Sequence, residues 1–501
     1  MHRSADFDLA APLPSHAPAL LQDLGLGIVC NAMSDGEHLV LESSKRALLL
    51  GLTSPEEISY RQAVLSDCLA NAAVVRHLFR TSVEAIEAER RVWSLYSGAP
   101  QSVLSRALSA ADVLLAHLRE LRRTSDEHAA GFSSEGFMRF FEMLSTELTD
   151  DYLAQLDSHL EELRFKNGLL LSGRLGNGNT PQGFGLRRPG PRSPRPRSGP
   201  FGRSAYSFDI SGKDDAGLRA LEDLRARGLN LVANALAQAA EHVRGFFTQL
   251  AAELAFYVGC LSLADQLSAK GAPWCSPLPL PASKVAFSAE GLYDVGLALR
   301  QDQEVVGNDV SADGKLLTMV TGANQGGKTT FLRSAGLAQL MMQAGMFVAA
   351  KSFAANVCPR VFTHFKREED PAMKRGKLDE ELARMSTVAN EITPGCLLLC
   401  NESFASTNER EGSEIAGEII KAMTASSVRV VFVTHMFELA DKLFAEGLPE
   451  ALFLRAERLP DGRRTFRLVE GQPLPTSFGQ DSYWRVFGPM PGEAAQKRAP
   501  A

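Results

Sequence analysis

The chain has 501 residues and a formal net charge of −6, with 45% hydrophobic and 22% charged residues. Its length predicts two or three domains, and its composition is typical of soluble globular proteins. The excess of acidic over basic residues excludes a uniformly basic nucleic-acid-binding protein. Any DNA contact must therefore come from local patches or from a groove between subunits.

Seven cysteines are scattered without a C-x-x-C pair, which argues against a zinc module or a disulfide framework and favours a reducing compartment. The start, MHRSADFDLAAPLPSH, has acids and prolines where a signal peptide has a continuous apolar stretch. No run approaches the roughly 18 apolar residues of a membrane helix. We therefore expect a cytoplasmic protein with no membrane partner.

Residues 1–50 give little periodic signal and are set apart as an N-terminal segment, whereas residues 51–270 predict a mostly helical domain. Apolar residues recur at spacings of three to five over 104–121 and again over 137–160, as one buried helix face requires. The same pattern predicts a long helix over about 214–267.

Gly228 is expected to interrupt or kink this long helix. Before it, a segment at about 168–211 breaks the helical pattern, and its sequences LLLSGRLG and SAYSFDI predict short strands. Residues 187–203 between them hold six arginines and no acid among many prolines and glycines. Two interpretations stay open, a solvated flexible linker and a basic tether that touches the phosphate backbone of DNA.

Strand-like apolar runs alternate with helical segments over residues 284–488, which predicts an α/β domain. The Pro- and Gly-rich sequence GAPWCSPLPLPAS, residues 271–283, marks its start, and residues 489–501 are expected to be a disordered tail.

Within this domain a predicted strand, Lys315–Val320, runs into the loop GANQGGKT and then into a predicted helix. In this context G-x-x-x-x-G-K-[ST] predicts a phosphate loop, because its N–H groups and the helix N-terminus attract phosphate oxygens. Lys328 is predicted to bridge the β- and γ-phosphates of ATP, and the Thr329 hydroxyl to ligate Mg²⁺. The predicted nucleotide-binding residues of the loop are Gly322, Ala323, Asn324, Gln325, Gly326, Gly327, Lys328, Thr329 and Thr330.

A second apolar strand, CLLLCNES, ends in Asn401 and Glu402, where ATPases with such a loop usually present Asp and then Glu. Glu402 is predicted to polarise the attacking water. Asn401 takes the metal-supporting position and keeps one acceptor oxygen but lacks the negative charge, which predicts weakened Mg²⁺ binding or turnover with hydrolysis retained. A third strand, VRVVFVTH, ends in His435, which is predicted to sense the γ-phosphate.

Together these segments resemble the MutS DNA mismatch-repair family over about residues 305–441. The loop TGANQGGKTTFLR is similar to the family's TGPNMGGKSTYLR, and THMFEL to its THYFEL. NESFASTNEREG follows the framework DExGRGTSTxDG and keeps Glu402, Thr407 and Gly412. VVGND resembles FVPND, which assigns Asn308 to the nucleotide and puts Val305 in place of an aromatic that would pack on adenine.

The resemblance implies a C-terminal α/β P-loop ABC-type ATPase domain preceded by a mostly α-helical lever domain. In such proteins a signature segment of the opposite subunit closes over each nucleotide. The family's spacing places that segment at GKLDEEL, residues 376–382, with Gly376 in place of a serine. Gly376 and Lys377 are therefore expected to contact the nucleotide of a partner subunit, in a homodimer formed through the ATPase heads.

The resemblance also implies a role in DNA repair or recombination, as an ATP-switched dimer whose levers grip DNA. The roughly 50 residues before the lever leave no room for the mismatch-reading and connector domains, so branched, mismatched or non-specific duplex DNA is the expected partner. A nucleotide-dependent protein scaffold without direct DNA recognition is the alternative. A small-molecule kinase is disfavoured, because no lid or acceptor site is evident.

Overall fold

A computed structural model of the protein describes residues 3, 6–93, 99–166, 168–179, 181–188, 209–367 and 376–475. Its α-helices are α1 (Ala17–Asp23), α2 (Leu26–Ser34), α3 (His38–Leu49), α4 (Pro55–Ala70), α5 (Ala72–Val92), α6 (Pro100–His128), α7 (Glu135–Glu147), α8 (Asp150–Leu163), α9 (Asp215–Ala269), α10 (Val295–Arg300), α11 (Lys328–Gln343), α12 (Lys377–Glu391), α13 (Glu409–Ala425) and α14 (Phe437–Ala445). Its strands are β1 (Leu171–Leu175), β2 (Pro181–Leu186), β3 (Leu278–Leu280), β4 (Phe287–Leu292), β5 (Asn308–Ser311), β6 (Leu317–Gly322), β7 (Ser352–Asn356), β8 (Val361–Phe365), β9 (Leu397–Asn401), β10 (Arg429–Val433), β11 (Ala451–Arg458) and β12 (Arg464–Glu470).

The described residues divide into two compact units. The first is α/β and takes its residues from Met1–Ala72, Ser134–Gly136 and Ala255–Ala501, and the second takes its residues from Ala73–Ser133 and Phe137–Leu254. The predicted combination of a mixed α/β region with a preceding helical region is confirmed.

The second unit is helical and carries the β1–β2 hairpin. The apolar pattern predicted over 104–121 lies within the 29-residue helix α6. The pattern over 137–160 is divided between α7 and α8. Thr149 precedes the first residue of α8, and its hydroxyl accepts a hydrogen bond from the Tyr152 N–H at 3.3 Å. This is the geometry of an N-cap.

The expected interruption at Gly228 is wrong, because α9 runs through it for 55 residues. A Cβ at Gly228 would lie 2.4 Å from Leu171 Cδ2. The glycine therefore permits β1 to approach the helix closely, and that contact is its role. Most of SAYSFDI and of the arginine-rich segment 187–203 lies outside the described residues.

An 18-residue window of α9 has a mean hydropathy of 1.4 and is long and apolar enough to cross a membrane, contrary to the expectation that no run approaches this length. Two-thirds of the window, 67%, is buried inside the protein. A core helix has this composition because both of its faces are covered.

The first unit contains a six-stranded sheet in the order β12-β11-β6-β10-β9-β8. All neighbours pair in parallel except β11 and β12. The central strands β6, β9 and β10 are buried nearly throughout, as expected of a parallel sheet covered on both faces. A second sheet has the order β3-β7-β4-β5.

Three short helices, α1 to α3, occupy the N-terminal segment that gives little periodic signal. Each is too short for a periodic pattern to emerge, since residues with positive φ separate them: Gly25 at 64°, Asp35 at 44° and Gly36 at 87°. The helix α1 packs against β8, the edge strand of the large sheet.

Candidate functional site

Three of the predicted site segments follow neighbouring strands of the six-stranded sheet. Val433 of β10 lies level with Val320 of β6 on one side and with Asn401 of β9 on the other. Because parallel strands present their carboxyl ends at one edge, the segments that follow them meet there. This edge brings together the glycine-rich loop, Glu402 and His435.

The glycine-rich loop between β6 and α11 has the backbone of an anion-binding turn. Gly322, Gln325 and Gly327 have positive φ values of 103°, 59° and 92°. A Cβ at Gly326 would lie 2.6 Å from Ala456 Cβ and 2.8 Å from Ala323 O. The N-terminus of α11 has no side-chain cap, so its first N–H groups remain available to a ligand. The loop therefore fits a phosphate chain.

Lys328 begins α11 and is only 5% exposed. Its ammonium donates hydrogen bonds to Gly322 O at 2.9 Å and Ala323 O at 3.3 Å. Burial lowers the pKa of Lys328, Arg464 acts in the same direction, and Glu402 acts in the opposite direction. A buried cation held by two neutral carbonyls is well placed to attract an anion.

Glu402 and His435 are hydrogen-bonded to each other at the same edge. The carboxylate oxygen Oε2 of Glu402 lies 2.5 Å from His435 Nδ1 and accepts a hydrogen bond from the His435 backbone N–H at 3.1 Å. The hydrogen bond to Glu402 raises the pKa of His435. The backbone of Glu402 is strained, with φ of 53°, and its N–H is fixed by Val433 O at 2.9 Å.

The two predicted metal ligands meet each other. The Thr329 hydroxyl donates a hydrogen bond to Asn401 Oδ1 at 2.9 Å, so both expected ligands are neutral oxygens. Protein sites usually bind Mg²⁺ through one or two carboxylates together with substrate phosphates. Within the described residues, no group of three or more His, Cys, Asp or Glu side chains could hold a metal ion. The pair could therefore contact Mg²⁺ carried by phosphates but supplies no charge for it.

Asn308, at the start of β5, holds β12 beside the glycine-rich loop. Its Nδ2 donates to Phe466 O at 3.3 Å, and its Oδ1 accepts from the Leu468 N–H at 2.7 Å. Next to it opens a cleft of about 730 Å³, whose lining includes residues 305–309 with Thr465 and Arg467 of β12. Its size suits a nucleoside or a similarly sized group.

Gly376 and Lys377 lie elsewhere in the subunit. Gly376 precedes the first residue of α12, and α12 packs against β8. In the sheet, β8 is three strand positions from β6, about 14 Å at the usual strand spacing. The helix that Lys377 begins therefore packs on a strand three positions away from the strand that leads into the glycine-rich loop.

Comparison with known proteins identifies the family. The profile of the MutS2 N-terminal domain matches residues 53–270, and the profile of MutS domain V matches residues 318–479. The chain belongs to the MutS family.

Among its relatives, the DNA mismatch repair protein MutS of Thermotoga neapolitana is 34% identical over 164 residues, which is 32% of this chain and 20% of that protein. The MutS of Leptospira interrogans is 26% identical over 248 residues, 46% of this chain and 29% of that protein. The MutS of Chlorobium phaeovibrioides is 29% identical over 237 residues, 46% of this chain and 26% of that protein. The chain thus spans less than a third of the length of these relatives.

Several side chains near the carboxyl edge of the six-stranded sheet were not predicted from the sequence as site residues. Arg464 and Phe466 belong to the β11–β12 hairpin, whose turn Pro460-Asp461-Gly462 between two alternating runs is a hairpin signal that sequence reasoning missed. Lys366 follows β8, and its N–H donates to Asn401 O at 2.9 Å. No local motif predicts Lys366 as a site residue, because only the pairing of β8 with β9 brings it beside Asn401.

Proposed function

We propose that this protein binds and hydrolyses ATP with a P-loop ABC-type ATPase domain over residues 284–488, and that a helical lever over 51–270 transmits the nucleotide state to DNA. Two subunits close on nucleotide through their ATPase heads, and the dimer acts in DNA repair or recombination. The convergence of the glycine-rich loop, Glu402 and His435 at one sheet edge carries the proposal.

In this site the loop N–H groups and Lys328 hold the phosphates of ATP. The adenosine occupies the cleft beside Asn308, where Val305 offers an aliphatic surface to the base. Glu402 orients and polarises the attacking water once His435 releases it to contact the γ-phosphate. Mg²⁺ bound with ATP would neutralise phosphate charge, and Thr329 and Asn401, whose side chains are hydrogen-bonded to each other, are the residues that would hold it.

The conformational change that ATP controls is the closure of the dimer. Gly376 and Lys377 complete the nucleotide site of the partner. ATP then binds the closed dimer better than the open one and shifts the population towards it. Supporting this proposal, the chain matches family domains on both the helical and the α/β region.

DNA is the proposed partner because the relatives that the chain matches are named DNA mismatch repair proteins. Branched, mismatched and non-specific duplexes are the substrates we favour, since shape and phosphates are recognised without base contacts. All seven cysteines are free thiols, which suits the cytoplasm. The net charge of −6 favours one alternative, a nucleotide-dependent scaffold whose levers hold another protein.

Replacing Glu402 by glutamine tests the catalytic assignment. The Glu402→Gln protein should bind ATP but hydrolyse it at least about a hundredfold more slowly, because the amide cannot act as a base. Steady-state phosphate release and equilibrium nucleotide binding measure the two effects separately. Glu414→Gln, on the exposed face of α13, is the matched control and should keep the wild-type rate. Unchanged hydrolysis by Glu402→Gln would contradict the assignment.

A further inference from the structure

The turn that follows Glu402 is strained, and its next two residues are completely buried. Glu402 and Phe404 have positive φ values of 53° and 63°, in the left-handed region that residues other than glycine seldom adopt. Ser403 and Phe404 are both inaccessible to solvent. A strained backbone persists only where the surrounding contacts hold it in place. The groups that hold this turn therefore determine where the Glu402 carboxylate lies.

Two backbone contacts hold the residues on either side of Ser403. The Glu402 N–H donates to Val433 O at 2.9 Å, which joins the turn to β10. Gly412 of α13 approaches the turn so closely that a Cβ on it would lie 2.5 Å from Phe404 O. Between these two contacts, the side chain of Ser403 is the part of the turn that remains to be fixed.

The Ser403 hydroxyl is held by His364 of β8. Its Oγ lies 2.8 Å from His364 Nδ1 and 2.7 Å from His364 O. Glu381 O lies 3.0 Å from the other ring nitrogen, Nε2, and a carbonyl can only accept. The ring proton is therefore on Nε2, and Nδ1 accepts from the hydroxyl. Both acceptors of the single hydroxyl proton belong to His364, so this residue alone ties Ser403 to β8.

The imidazole of His364 is itself fixed by packing and by its second hydrogen bond. The ring is buried and stacks on Phe404, with ring planes 20° apart. Through Nε2 it donates to the backbone of Glu381 in α12, and the carboxylate of Glu381 accepts from the Ser406 hydroxyl at 2.9 Å. A side chain locked in this way holds its neighbour to within about 0.5 Å.

We propose that His364 is a positioning residue for ATP hydrolysis: through the Ser403 hydroxyl it holds the turn that places the Glu402 carboxylate. The inference rests on the proposed function, since it assumes that Glu402 polarises the attacking water. Because the ring is buried, it acts on turnover through Ser403 and not by contact with nucleotide. Loss of the hydrogen bond between the two side chains should therefore lower kcat and leave nucleotide affinity unchanged.

Amide side chains separate the two hydrogen bonds of the ring. An asparagine amide can take the place of Nδ1, and a glutamine amide that of Nε2. His364→Gln and Ser403→Ala both remove the bond to the Ser403 hydroxyl, so each should lower kcat at least about tenfold through misplacement of the base. The dissociation constant of a non-hydrolysable ATP analogue should change by less than about twofold in both. His364→Asn keeps a partner for Ser403 and should retain most of the wild-type kcat.

The double variant with His364→Gln and Ser403→Ala distinguishes positioning from a general loss of stability. If the two side chains act as one unit, its kcat should match that of either single variant within about twofold, whereas independent effects multiply. Thr424→Val is the matched control. It removes a hydroxyl that is bonded to Ile420 O at 2.9 Å within α13, and it should keep the wild-type kcat.

Steady-state phosphate release by the full chain gives the decisive outcomes. Absence of hydrolysis by wild type refutes the proposed function and the inference with it. Hydrolysis by wild type that His364→Gln and Ser403→Ala leave unchanged overturns the inference alone. Multiplied losses in the double variant, or equal losses in His364→Asn and His364→Gln, also overturn it, because the bond to Ser403 would then not be what supports turnover.

Discussion

His364 of β8 is buried beside β9, the strand that Glu402 follows. The side chain is 1% exposed, its Nδ1 lies 2.8 Å from Ser403 Oγ, and its Nε2 lies 3.0 Å from Glu381 O. Its ring stacks on Phe404, with ring centroids 5.3 Å apart. Since a carbonyl only accepts, Nε2 carries the proton, and the imidazole joins α12 to the loop that follows Glu402.

The pKa of His364 leads to a pH-dependent stability. Burial, followed by the nearby Arg384, lowers this pKa to about 4, so the folded protein resists protonation that the unfolded chain accepts near pH 6.5. Stability is therefore full above pH 6.5 and is lost as the pH falls towards 4, by on the order of 3 kcal/mol.

Urea unfolding of wild type and of His364→Asn, at several pH values between about 7.5 and 5, measures this effect. The variant should lose less stability than wild type as the pH falls, because it lacks the titrating group. His38→Asn, which removes an exposed histidine of the same unit, should behave as wild type. If wild type and His364→Asn lost the same unfolding free energy as the pH falls, His364 would not be the source of the pH dependence.

At the scale of single residues, the sequence predicts those site residues that lie next to each other in one motif. Lys328 and Thr329 belong to one short motif, so spacing alone places them at a helix N-terminus. The contacts that β8 and β12 contribute to the site could not be predicted in this way. Lys366 follows β8 and Arg464 begins β12, the two opposite edge strands of the sheet, and no local pattern reveals this strand order.

At the scale of elements, α12 differs from the other parts of the candidate site because it lies against the edge strand β8. One contact fixes it to the loop after Glu402 and another to β8. The Ser406 hydroxyl donates to Glu381 Oε1 at 2.9 Å, and Glu381 O lies 3.0 Å from Nε2 of His364. If Lys377, its first residue, contacts the nucleotide of a partner subunit as proposed, these contacts connect its helix to the loop after Glu402.

Mixing variants tests whether Lys377 completes the site of a partner subunit. Lys377→Ala and Lys328→Ala should each have low turnover alone, because each disables both sites of its homodimer. An equal mixture should recover about a quarter of the wild-type rate, since half of the dimers are mixed and each has one working site. Phosphate release measured after subunit exchange gives the result.

Lys328→Ala mixed with Glu402→Gln is the matched control for this experiment. Those two substitutions act on the site of their own subunit, so mixed dimers have no working site and no rate should return. Failure of the Lys377→Ala and Lys328→Ala mixture to exceed this control would place Lys377 outside the partner's site.

Helices and strands with a long or fully buried apolar run could be predicted from the sequence, and the short helices could not. The strands β6, β9 and β10 follow from runs that are buried on both faces, and α6 follows from its repeated leucines. The helices α1 to α3 are too short to show a period. The division between α7 and α8 depends on one capping threonine, which an otherwise continuous apolar pattern conceals.

At the scale of the whole molecule, α9 belongs to both compact units, with residues 215–254 in the helical unit and 255–269 in the α/β unit. One continuous helix therefore contributes residues to both units. The proposed switch would use this continuity of the chain, because nucleotide would bind to the α/β unit and the proposed lever is helical. The extent of this helix follows from the local apolar pattern, which predicts it over about 214–267, whereas its division between units does not.

In the proposed function, ATP controls the affinity of this protein for DNA. Binding of the full chain to plain, mismatched and four-way-junction duplexes, with and without ATP and over a range of salt, tests it most directly. We expect an ATP-dependent change in affinity of at least about fivefold. We also expect a steep loss of binding with salt as counterions are released, and no ATP effect for Lys328→Ala. Absence of binding to any of the three DNAs at low salt, or binding that ATP leaves unchanged, would contradict it.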